Sequence, residues 1–125
     1  MKLTRKIMLI VLIGLFSQFS MADNASSAKE IADIVASLNH FPSDADKAAL
    51  MAISADDSLA EGVRAMATAV ATFAHSANDE GKAAMATIQA NDEAPDRAKA
   101  LAGIIGSLMH MASADAKATL AALYP

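Results

Sequence analysis

LNHFPSDADKAAL at residues 38–50, FAHSANDEGKAAM at 73–85 and LMHMASADAKATL at 108–120 follow one pattern. Each has an apolar residue, a histidine two positions later and a capping-type residue three positions after that. A lysine and a large apolar residue then complete it. His40, His75 and His110 are the three histidines of the chain, and consecutive ones stand 35 residues apart. Ser43, Asn78 and Ser113 share the register and are good N-cap types, able to accept a hydrogen bond from an unpaired amide at a helix start.

Outward from these stretches the apolar spacing is helical. Ile31, Ile34, Val35 and Leu38 precede the first histidine; Leu59, Val63, Met66, Val70 and Phe73 the second; Leu101, Ile104, Ile105 and Leu108 the third. All follow the three-and-four spacing of a buried stripe. Leu50, Met85 and Leu120, with Ile53, Ile88 and Leu123, mark a second helix after each histidine. Alanine, the best helix former, dominates between them, and proline occurs only at 42, 95 and 125. The fold class is therefore all-α. It consists of three helix-turn-helix modules of 35-residue period, each with a longer helix A and a shorter helix B, over residues 25–56, 57–91 and 92–125. Ser54 with Asp57, and Pro95, are expected to start the second and third A helices. Gly62, Gly103 and Gly106 each cost a helix about 1 kcal/mol relative to alanine, which close helix contact would offset.

Lys2, Arg5 and Lys6, the apolar run 7–16 and Ser20-Met21-Ala22 have the layout of a secretory signal over residues 1–22. Ten apolar residues rise about 15 Å as helix, against roughly 30 Å of hydrocarbon, so no stable membrane insertion is expected after cleavage. Residues 23–125 would form one domain in the periplasm or outside the cell. No cysteine is present, which removes disulfides and thiol nucleophiles. Within 23–125, seven basic residues face fourteen acidic ones, a balance that disfavours nucleic acid.

A period near that of helical peptide-binding repeats lacks their tryptophan and tyrosine signature here. The physics remains: a short hairpin must bury its apolar face on a neighbour. Three hairpins stack openly as a short solenoid or close as a compact six-helix bundle. The sequence leaves both open.

That choice governs the histidines. At helix C-termini they can cap free carbonyls, which needs no cofactor. In a closed bundle they can instead converge as three nitrogen ligands for zinc or copper, with Met109 or Met111 as thioether donors to copper(I). The acidic pairs at Asp56 and Asp57, Asp79 and Glu80, and Asp92 and Glu93 lack EF-hand spacing and read as solvated turn residues. No glycine-rich phosphate loop or HExxH pairing is present, and no enzyme activity is expected. The leading expectation is a secreted module that binds a protein or peptide, with Phe41, Met51 and Tyr124 as interaction candidates. A histidine-based zinc or copper protein is the alternative.

Overall fold

The computed structural model describes residues 23–125, and the expected signal over 1–22 lies outside the described residues. The chain is helical from 23 to 37, which we label α1. Five helices follow: α2 (Asp44–Ala55), α3 (Glu61–Ala71), α4 (Asp79–Ala90), α5 (Asp96–Ser107) and α6 (Ala114–Leu123). The fold is all-α, with six helices packed on one another. Among the described residues no helix is long and apolar enough to cross a membrane.

Three starts are capped by side chains that remove an orphan amide each. The Ser43 hydroxyl accepts from Asp46 N–H at 3.1 Å, Asn78 Oδ1 from Gly81 N–H at 2.7 Å, and the Ser113 hydroxyl from Ala116 N–H at 3.1 Å. The helices α3 and α5 begin differently, at Ala60 and Pro95, with no side-chain cap. Ser54 does not cap α3; it lies within α2 and its hydroxyl pairs with that of Thr68 at 2.7 Å. The division into a longer and then a shorter helix holds for α5 and α6, with 12 and 10 residues, but not for α3 and α4, with 11 and 12. Leu59 and Phe73, counted into that A helix by their spacing, sit in the flanking turns and bury their side chains from there.

One core joins the helices. Ile31, Met66 and Leu101 are fully buried, as are Val35, Val70 and Ile105, while Leu50, Met85 and Leu120 fill the layer beside them. Among α2 to α6 the most extensive packing pairs α2 with α3 and α4 with α5. Glycine makes the second pair close: a Cβ at Gly106 would stand 3.3 Å from Met85 Cβ. Close contact thus accompanies a residue that weakens the helix itself.

The connections α1–α2, α3–α4 and α5–α6 meet. His40 N–H donates to His110 O at 2.6 Å, His110 N–H to His75 O at 2.6 Å, and His75 N–H to His40 O at 2.8 Å. These three bonds form a closed ring. Isolated bridges pair Asn39 with Met111 and Ser76 with Met109 beside it. An open stack would hold the first and last connections apart, so the bundle is the closed one.

Candidate metal centre

Each histidine is held at an unusual backbone angle. The φ values of His40, His75 and His110 are 66°, 66° and 63°, and no other non-glycine residue among those described has a positive φ. Steric crowding of Cβ makes this region uncommon for side-chain-bearing residues, with histidine, asparagine and aspartate better tolerated than most. At His40 and His110 the turn is three residues long, with Phe41 N–H donating to Asn39 O and Met111 N–H to Met109 O, both at 2.7 Å. A γ-turn with positive φ at its centre is a rare and strained form. What holds it is the surrounding ring of backbone bonds. Glycine would occupy these positions with less strain, so packing alone gives no reason for three imidazoles.

The rings converge where the backbone does. Their centroids lie 5.1 Å apart for His40 and His75, 5.0 Å for His40 and His110, and 5.3 Å for His75 and His110. One nitrogen from each ring lies within 4.8 Å of the other two. His75 Nδ1 and His110 Nδ1 are 3.3 Å apart, and His40 Nδ1 is 2.7 Å from Asn39 Oδ1. The site is open to solvent: His40 is half-buried, and His75 and His110 are exposed. Neutral imidazole ligates through one lone pair, and three such nitrogens suit zinc or copper.

This cluster corrects two expectations. The absence of any cofactor is overturned, because three histidines stand close enough to coordinate one ion. Histidines capping helix carbonyls are not found either. The ring nitrogens instead meet one another and Asn39, and the backbone amides serve the ring of carbonyls. The physical reason is closure: the helices stop three or four residues before each histidine, and the chain turns inward to the junction.

Met109 and Met111 flank His110 and are 62% and 48% exposed, with their backbones in the bridges to Ser76 and Asn39. Phe41 is 55% exposed, and its ring lies edge-on to that of His75 with centroids 4.9 Å apart. Three of the four exposed large apolar residues among those described therefore belong to the segments that carry the histidines. The fourth, Met51, is exposed on α2. Tyr124 is buried after α6, so it presents no surface to a partner. The Arg97 guanidinium lies 4.9 Å from its ring centroid. Burial pushes the Tyr124 hydroxyl above its usual pKa, and the charge of Arg97 pulls weakly the other way.

Asn39 is the functional candidate that the repeat pattern hides. The residues 35 positions on, Ala74 and Met109, offer no amide, so nothing in the register singles it out. Its adjacency to His40 is the one signal in the sequence. The chain matches no family model, no curated protein and no solved structure.

Proposed function

We propose that this protein is a metal-binding module that holds one zinc or copper ion with His40, His75 and His110, and that it is built from three 35-residue helical hairpins. The convergence of one nitrogen from each ring within 4.8 Å carries the reading. The strained backbone at all three positions supports it, because strain of this kind persists where the surrounding structure enforces it and gathers at functional sites. The hairpin organisation is supported by matching burial at 31, 66 and 101, matching caps at 43, 78 and 113, and matching φ at the histidines. Three protein nitrogens leave a coordination position for water or an incoming ligand.

Calorimetry with zinc tests the proposal, using the protein and a triple variant with asparagine at 40, 75 and 110. Asparagine tolerates positive φ, so the variant keeps the turns while losing the nitrogens. One ion per chain is expected for the protein, and affinity lower by at least about 100-fold for the variant. Identical titrations sink the idea. Tyr124 supplies the control, since the chain has one tyrosine and no tryptophan. Its folded pKa lies above the usual 10.0, so the stability linked to it is complete below that value and is lost as pH rises through the higher folded value. Phenolate absorbance should therefore appear late and alike in both proteins if the fold is intact.

A second reading, binding of a protein or peptide, is supported by Phe41, Met109 and Met111 exposed beside the triad. Cross-linking in intact cells should recover a partner that Phe41→Ala loses. Equal recovery by a folded Phe41→Ala variant would remove the support.

A further inference from the structure

The three rings are not equivalent, and the difference specifies how an ion would be held. His75 Nδ1 and His110 Nδ1 face each other at 3.3 Å. Two nitrogens bound at about 2.0–2.1 Å to a tetrahedral ion stand roughly 3.3–3.4 Å apart, whereas neighbours in a square plane stand at about 2.8–3.0 Å. The two nitrogens share a hydrogen bond at that distance, and an ion that replaced its proton would meet them already spaced as the edge of a tetrahedron.

His40 is turned the other way. Its Nδ1 is engaged by Asn39 Oδ1 at 2.7 Å. An amide oxygen only accepts, so Nδ1 carries the hydrogen and the lone pair belongs to Nε2. This is the arrangement by which a neighbouring oxygen fixes the tautomer of a ligating histidine and raises its basicity. Position 74 is alanine and position 109 methionine, so His75 and His110 have no such neighbour. The backbone of Asn39 is separately occupied in its bridges to Phe41 and Met111. The side chain is therefore free to serve the ring without carrying the turn.

We infer that the site takes a tetrahedral d10 ion, zinc, through Nδ1 of His75, Nδ1 of His110 and Nε2 of His40, with Asn39 as the positioning residue that sets the His40 tautomer. The inference rests on the metal-binding reading above and adds the geometry, the nitrogens and the outer residue. Because Nδ1 lies one bond nearer the chain than Nε2, the ion sits closer to the backbones of residues 75 and 110 than to that of residue 40. The fourth position faces solvent, where the exposed rings leave it open to water.

Relative affinity for copper and zinc does not test this, since copper(II) binds most nitrogen sites more tightly whatever the geometry. Nitrogen-15 spectra of the imidazoles do, at one fixed pH and with the zinc-loaded protein. Zinc is expected on Nδ1 of His75 and His110 and on Nε2 of His40, and the metal-free protein should already hold His40 as the Nδ1–H tautomer. Cobalt(II) in place of zinc should give the intense visible absorption of a four-coordinate ion. Asn39→Ala should weaken zinc binding by about 10–100-fold and shift the metal-free His40 toward the Nε2–H tautomer. Asn39→Asp, which keeps an acceptor, should restore wild-type affinity or exceed it. Unchanged affinity in Asn39→Ala, zinc on His40 Nδ1, or the weak spectrum of six-coordinate cobalt would overturn the inference while leaving a metal site. If the wild-type protein takes up neither zinc nor copper, the metal-binding reading falls with it.

Discussion

The connections that carry the histidines and the two that join α2 to α3 and α4 to α5 solve the same problem differently. At the latter, Asp56 Oδ1 accepts from Ser58 N–H at 3.0 Å and from the Ser58 hydroxyl at 2.6 Å, while Asn91 Oδ1 accepts from Glu93 N–H at 3.0 Å. These are local side-chain turns, and no residue in them has a positive φ. The Asn91 turn is complete within a few residues, and the Asp56 turn adds one distant bond, from Ala60 N–H to Asn24 Oδ1 at 2.8 Å. The histidine connections are completed by one another, through backbone bonds that span 35 residues or more. A self-sufficient turn can be changed with local consequences, whereas a mutually dependent one can enforce strain and bring side chains together.

Substituting a β-branched residue at equivalent depth should break the comparison most sharply. His75→Val places a branched Cβ at φ 66°, and should cost about 1–3 kcal/mol in denaturant unfolding of the metal-free protein. Asp57→Val, in an ordinary solvated turn, should stay within roughly 0.5 kcal/mol. His75→Gly should match or exceed wild-type stability while losing zinc affinity. Equal losses for the two valine variants would show that the histidine connections bear no special strain.

A smaller effect distinguishes the two local turns from each other. The hydrogen bonds from Ser58, with a lesser contribution from the Arg64 charge, hold the Asp56 carboxyl below its usual value of 3.8. A depressed folded pKa contributes stability above the unfolded value and loses it as pH falls through the folded one. Asp56→Asn copies the residue already used at 91 and keeps an acceptor but not the charge, so it should lower neutral stability slightly, by about the amount by which it flattens the acid end of the stability profile. An unaltered acid profile would mean that the Asp56 bonds do not bear on folding.

Much of this fold is legible in the sequence because the relevant signals are local. Apolar spacing at 31, 35 and 38 and its recurrence report helices and their buried faces, and alanine leaves little competition. Helix ends were less legible: Leu59 and Phe73 keep the helical spacing but bury themselves from turns. Spacing records which side of the chain is buried, not where the hydrogen-bond ladder stops. Closure was not legible at all, since open and closed arrangements bury similar stripes. Nor was the backbone at the histidines, where glycine or asparagine would have signalled a positive φ. The importance of Asn39 follows only once the ring beside it has been placed.

The backbone ring also constrains the order in which the protein becomes itself. His40 and His110 are 70 residues apart, so the ring cannot shut until nearly the whole chain is present. The entropic cost of that delay is small, because doubling a flexible loop adds only about 0.6 kcal/mol. A chain halted after α4 would have two histidines and no ring, and so no three-nitrogen site. Synthesis past residue 110 and the geometry that the proposed ion site needs are thus tied to one closing event, and a bound ion would report that α5 and α6 have docked.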